Sequence, residues 1–313
     1  MSASATVAPR PGRPRLVAPL RLARSFPGVA LGLGILVFVG LIGVLAPVIS
    51  PHSVETRSGD SFEAPSWSHP LGLDDGGVDM LSLLMHGARV SLTIGICAAL
   101  VAVCVGGIVG LLSGYFGGWV DTLLMRMTDY FLVIPTLPLM IVIAALWGSS
   151  TFNIVLVIGL LGWAVTARVI RAQVISLKER VYVARTRSLG SSNARIILRH
   201  ILPHLAPLLA ATTAIGVADA VFAETGLAFL GLGDPNAISW GGLIENAFVR
   251  NAVTHDAWWA IVPPGICVAV IVVACSLIGR GIEDTLNPRL KIAHLATRTF
   301  GIRPLAGRER EDV

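Results

Sequence analysis

Residues 90–120, VSLTIGICAALVAVCVGGIVGLLSGYFGGWV, run without a single charge between Arg89 and Asp121. A helix rises ~1.5 Å per residue and the hydrocarbon core of a bilayer is ~30 Å thick, so about 20 apolar residues cross it. This stretch has residues to spare. Reading outward, Phe26–Ile49 is equally free of charge, and so are Tyr130–Ala167 and Ala257–Gly279. Tyr130–Ala167 is too long for one crossing. It breaks at Gly148-Ser149-Ser150, with Asn153 following, a turn signal that predicts helices near 130–147 and 152–170. Leu205–Ala223 holds only Asp219. Six membrane spans are expected.

Composition agrees with that count. Of 313 residues, 54% are hydrophobic and 14% charged, where soluble domains carry ~25% charged residues. Mean hydropathy is +0.75. A soluble enzyme and a disordered chain are both excluded. Four cysteines (Cys97, Cys104, Cys267, Cys275) in apolar surroundings suggest ordinary small-residue packing rather than a disulfide framework or zinc site. The first apolar run exceeds a signal-peptide h-region and ends Pro47-Val48-Ile49-Ser50-Pro51, without a small-residue cleavage site, so it reads as a retained span.

The charges are placed asymmetrically. Residues 1–25 carry Arg10, Arg13, Arg15, Arg21 and Arg24 and no acid; residues 168–204 carry eight basic side chains against Glu179. The segment from Arg280 onward holds seven more. By contrast, residues 51–89 set six acids against Arg57 and Arg89, and 224–256 set Glu224, Asp234, Glu245 and Asp256 against Arg250. Lys and Arg are retained in the cytoplasm. Both termini and the 171–204 loop are therefore expected inside, with 51–89 and 231–256 outside. The net charge of +5 is a topology signal, and no nucleic-acid fold or aromatic platform accompanies it.

The chain divides into a basic tail (1–25), a first span (26–50), an outer segment (51–89), a five-helix core (90–280) and a C-terminal tail (281–313). No connection is large enough for a nucleotide-binding domain, and no G-x-x-x-x-G-K-[ST], H-E-x-x-H or G-x-S-x-G motif occurs. The seven histidines lie outside the spans or at their edges, and none pairs at a metal-binding spacing; His200 and His204 are separated by Pro203. No metal site is expected. Gly106, Gly110, Gly114 and Gly118 recur every fourth residue, a pattern for close helix packing in lipid. Asp219 is costly at membrane depth, and such residues face a cavity or a partner; it lies a few residues from the outer end of its predicted span. Glu224 follows beyond that end, and a place on the pathway or a bond to a helix partner is open to both.

Between the fourth and fifth spans stands Tyr182-Val183-Ala184-Arg185-Thr186-Arg187-Ser188-Leu189-Gly190, followed by Ile201-Leu202-Pro203. The pattern predicts a short helix, a break at Gly190 and a second helix through Ala194–Leu202 that ends at Pro203. Val183, Leu189, Ile196, Ile197 and Ile201 alternate with arginines. Such a loop either lies on lipid headgroups or docks on a partner.

The loop resembles the "EAA" loop of ABC-importer permeases, with Gly190 and Ile201-Leu202-Pro203 at the expected spacing. Further segments are similar to the peptide/nickel-type permeases: His69-Pro70-Leu71-Gly72 with Asp74-Asp75, Gly87–Leu92, Ser113–Gly118, Ala223–Gly233 and Asp284–Arg289. The likeness covers roughly residues 20–291 and is nearest the second permease of dipeptide/oligopeptide import systems. It implies an all-α integral membrane protein of the type I ABC importer permease fold, with no catalysis of its own. It also implies a second homologous permease, two cytoplasmic ATPases that bind ATP and Mg²⁺, an extracytoplasmic solute-binding protein and a coupling role for Tyr182–Gly190 and Ile201–Pro203. Ala184 stands where the family's loop glutamate is expected, so that residue's ionic contacts are not carried over. Val78 stands where an arginine usually precedes the aspartate, here Asp79. A secondary transporter would show an inverted repeat with paired broken helices, and an intramembrane enzyme would show a nucleophile–base or metal pair; the sequence displays neither.

Overall fold

A computed structural model describes residues 27–286, with side chains described as far as Asp284. The two basic tails, His294 and the end of the Asp284–Arg289 segment lie outside the described residues. Among the described residues nine helices longer than a single turn follow in order: α1 (Pro27–Ile49), α2 (Met80–Phe116), α3 (Gly118–Val133), α4 (Thr136–Trp147), α5 (Thr151–Lys178), α6 (Val181–Ser188), α7 (Asn193–Leu232), α8 (Trp240–Val249) and α9 (Val262–Leu286). Five of them are long and apolar enough to cross a bilayer alone, and the bent pair of α3 and α4 makes up to six when counted as one span.

That bent passage departs from the expected straight helix over 130–147. Helix α3 starts at Gly118, and the chain turns by 87° before α4. The cause is local. Ile134 precedes a proline and is pushed to extended backbone (φ −74°, ψ 127°), while Pro135 has no N–H to continue the ladder. The break at 148–150 is where the sequence places it: Gly148 turns at φ +87°, and the Ser150 hydroxyl caps α5 by accepting from the Asn153 N–H.

Helix α2 has 37 residues and is ~55 Å long, far more than a bilayer needs, so one end stands outside the hydrocarbon. Its deepest contact is with α5. A Cβ on Gly106, Gly110 or Gly114 would run into Trp163 O, Ala167 O or Arg171 O of α5, so these three glycines let the two backbones touch. Gly118 is not part of this stripe. It has open space beside it and a φ of +57°, and it opens α3. Helix α7 packs on α2 and α9, and α1 lies outside against α9 and α2.

Proline does not end the helix at 203. Helix α7 passes through it by way of a π turn at Ile197–Ile201, in which Leu202 N–H reaches back to Ile197 O. The wider turn accommodates a residue that cannot donate. The helix also extends beyond Ala223 to Leu232, so Asp219 is ~20 Å from its end, about two thirds of the way along it rather than a few residues from its end. Of the cysteines, Cys275 is buried and Cys267 half-buried, but Cys97 and Cys104 are exposed. Only the first two fit the packing expectation.

Candidate coupling loop and translocation cavity

At the arginine-rich end, α6 stands across the junction of α5 and α7. Val183 is fully buried among Ile170, Val174 and Leu177 of α5 and Ile196, Ile201 and Leu205 of α7. Tyr182 leans on the start of α7, with its ring 5.8 Å from His204 and 6.2 Å from His200. Arg187 lies over the Tyr115 ring at 5.8 Å, and the Tyr115 hydroxyl donates to Asn193 Oδ1 at 2.9 Å. Ala184, Arg185, Leu202 and Pro203 are exposed.

Helix α6 ends as its sequence requires. Gly190 N–H bonds Arg187 O at 3.0 Å and Ser191 N–H bonds Thr186 O at 3.3 Å, the reciprocal pair of a Schellman motif with Gly190 at the left-handed position. Its φ is +77°. Leu189, just before it, is 85% exposed. A large apolar side chain is thus held in the open beside a fixed turn.

The frame below the loop is ionic. Arg171 forks onto Asp121 with two 2.6 Å bonds, and Ser113 Oγ donates to the same carboxylate. Arg168 reaches Asp129 at 2.6 Å. These pairs bind α5 to α3 and to the end of α2. In the sequence both arginines read only as topology charges, because partners 39 and 50 residues away leave no local signal.

A cavity of about 340 Å³ opens between α2, α3, α4, α5 and α7, walled by residues such as Ala102, Met140, Val165 and Gly216. Asp219 is on its lining and makes no hydrogen bond or ion pair among the described residues; Glu283 of α9 also contributes to the wall. Glu224 has the other fate. It is 1% exposed, accepts from Ser91 Oγ at 3.4 Å and bonds Ser239. Ser91 Oγ in turn accepts from Trp240 N–H, and Trp240 Nε1–H donates to Leu84 O at 3.0 Å. Glu224 therefore ties α2, α7 and α8 together, while Asp219 faces open space.

At the acidic end, residues 51–79 fold over the bundle. Phe62 N–H bonds Asp74 O, Leu73 N–H bonds Glu63 O, and Trp259 Nε1–H bonds Leu73 O at 3.1 Å. Asp75 meets Arg250 at 3.4 Å, and Phe62 stacks on His255. Val78 packs against the same core. Burial pushes the Asp74 carboxyl above its ordinary pKa. Burial also pushes upward on Asp234, but hydrogen bonds from Thr151 and Asn236 outweigh it and hold that carboxyl below the usual value. Asp79 caps α2 through Ser82 and also bonds His69.

Residues 106–292 match the family described as "Binding-protein-dependent transport system inner membrane component". The chain belongs to this family. It is 34% identical over 265 residues to the dipeptide transport system permease of Alkalihalophilus pseudofirmus, covering 83% of this chain and 85% of that protein. A putative peptide transport system permease of Brucella suis biovar 1 is 37% identical over 274 residues, 86% of this chain and 89% of its own length. A putative peptide permease of Brucella ovis matches at 34% over 243 residues, 77% and 80% of the two chains. This inner membrane component is thus a multi-pass membrane permease of the type I fold, and α6 sits on α5 and α7, two of the helices that wall the cavity.

Proposed function

We propose that the chain is one of two permease subunits of an ATP-driven ABC importer and walls half of a path for di- or oligopeptides. The observation that carries this reading is one continuous mechanical link. Val183 of α6 is buried between α5 and α7, and both helices line the Asp219 cavity. A force on α6 is therefore delivered to the cavity wall through close-packed side chains, which transmit displacement with little compression.

This reading implies the partners, which are those of a binding-protein-dependent transport system. Two cytoplasmic ATPases, holding ATP and Mg²⁺, would receive the exposed Leu189 and the Tyr182–Gly190 helix of each permease. A second, similar permease would close the open side of the path. An extracytoplasmic binding protein would deliver the solute to the acidic end. The arginine bias of residues 168–204 supports a cytoplasmic placement of α6. Peptide cargo is favoured by the names of the relatives and by Asp219, whose carboxylate suits a passing ammonium group. Nickel or another small solute would use the same subunit architecture with a different delivering protein.

Uptake of a labelled dipeptide by vesicles carrying the complete transporter tests this reading. Asp219→Leu should lower uptake at least several-fold with the ATPases still co-purifying, and Asp219→Asn should be milder. Full uptake by the leucine variant would remove Asp219 from the path. Orientation is tested by Ser58→Cys and Ser192→Cys in a background without the native cysteines. An impermeant thiol reagent on intact cells should label position 58 alone.

A further inference from the structure

Three chain segments bring metal-ligating side chains together at the acidic end. His52 follows α1 by three residues, His69 closes the turn 66–69, and Asp79 is the N-cap of α2. One donor atom from each lies within 4.8 Å of the others. His69 Nδ1 is 2.9 Å from Asp79 Oδ1, and His52 Nδ1 is 3.8 Å from the same oxygen. Bonds of ~2.0–2.1 Å in a tetrahedral site place donors ~3.3–3.4 Å apart. The two measured separations straddle that value.

The second observation is His52 itself. Its Nδ1 is buried and has no hydrogen-bond partner among the described residues. A buried polar atom without a partner is costly, and this one is turned toward the other two donors. The rings of His52 and His69 stand 4.5 Å apart, and both present Nδ1 to the same carboxylate oxygen.

The surroundings fix the donors. Ser82 donates to Asp79 Oδ2 from both its N–H (2.9 Å) and its hydroxyl (2.8 Å), leaving Oδ1 toward the imidazoles. The His52 backbone N–H donates to Ser82 Oγ at 3.2 Å, and Ser66 Oγ accepts from the His69 N–H at 3.2 Å. Such outer hydrogen bonds orient ligands in metal sites. Asp79 is fully enclosed and the His69 side chain 10% exposed, but the His52 side chain is 34% exposed, so an ion can reach the site past His52.

We propose that His52, His69 and Asp79 form a resident site for a divalent transition-metal ion of borderline softness, of which Zn²⁺ is the type, on the outer face of the permease. Two imidazoles and one carboxylate suit that class over Mg²⁺ or Ca²⁺, which prefer all-oxygen shells. In the ion-free state the His69–Asp79 hydrogen bond holds the site closed. Binding uses the Nδ1 lone pairs of both rings, so the proton between His69 and Asp79 moves to His69 Nε2 or to solvent. The ion would tie the residue after α1, the turn at 69 and the start of α2 into one clamp. It is not a station on the path: Asp79 precedes the cavity residue Ala98 by ~28 Å along α2.

The test uses the complete transporter, purified without a histidine tag and stripped of metal. Calorimetric titration with Zn²⁺ and the visible absorption of Co²⁺ should show one site per chain. His52→Ala should weaken it by at least roughly a hundredfold, since a direct ligand matters no less than the outer bonds that cost up to that much, while His255→Ala should leave it unchanged. In the unmodified protein, Zn²⁺ should protect His52 and His69 from carbethoxylation and leave His255 reactive. Absence of a site in the unmodified protein, unchanged affinity in His52→Ala, or equal modification of His52 with and without Zn²⁺ would overturn the proposal.

Discussion

The two ends of the molecule are built on opposite terms. At the acidic end, residues 51–79 and α8 are joined to one another and to α2, α7 and the turn before α9 by long-range hydrogen bonds, an ion pair and buried tryptophans. At the basic end, α6 is held by one buried side chain, Val183, with ring contacts around it, and presents Leu189 to the outside. In the first region the side chains bond one another; in the second they are left exposed. On the proposed reading, a heavily cross-bonded cap suits the face that receives the solute, and a helix anchored by one close-packed side chain but otherwise open suits the face that docks an ATPase.

Substitutions should separate the two ends by the property they damage. Trp240→Ala in the cap should have the largest effect on stability, about 3–5 kcal/mol, because it empties a fully buried ring site and leaves Leu84 O without the indole N–H that donates to it. Thermal unfolding of the purified transporter measures it, and protein levels in the membrane should fall with it. Val183→Ala should cost about 1–3 kcal/mol through lost burial and a small cavity. Its sharper signature is uncoupling: ATPase activity persisting while uptake declines.

Gly190→Val isolates the turn. Open space surrounds Gly190, so only the left-handed backbone resists a side chain, at roughly 1–2 kcal/mol. Insertion and permease pairing should survive, and ATPase co-purification or uptake should drop. Leu189→Ala should act in the same direction with no loss of thermal stability. Full uptake by both variants would make the loop a passive connector and erase the contrast between the ends.

The smallest effect expected is the pH response of the cap at Asp234, which accepts from the Thr151 N–H and hydroxyl at 2.9 and 2.8 Å. Its folded pKa lies below the ordinary value, so its stabilisation is present above the unfolded pKa and is lost as pH falls through the folded one. A gentle decline in unfolding temperature is expected below about pH 4. Asp234→Asn should flatten that part of the profile; an unchanged acid limb would show that the bond contributes nothing.

Much of this architecture is legible in the sequence. Uncharged runs locate the spans because hydrocarbon admits no unpaired charge or open backbone, and that constraint acts on composition alone. Gly190 is equally readable, since a short helix followed by a small residue and a new helix needs a left-handed turn. The misreadings at Pro135 and Pro203 share one origin. Proline states that a backbone bond is missing, but not whether the helix breaks, as at 134–135, or widens by one residue, as at 197–201; neighbouring packing decides.

The sequence by itself determined that the chain lives in a membrane, about how often it crosses, and which end is arginine-rich. Those properties are sums over local residues. Only the tertiary structure decided that Asp219 faces a cavity while Glu224, five residues on, is locked to Ser91. It also decided that Arg171 belongs to Asp121, and that His52, His69 and Asp79 meet. Each is a contact between residues far apart in sequence or a choice between faces of one helix, and such choices are made by packing, which no single segment carries within itself.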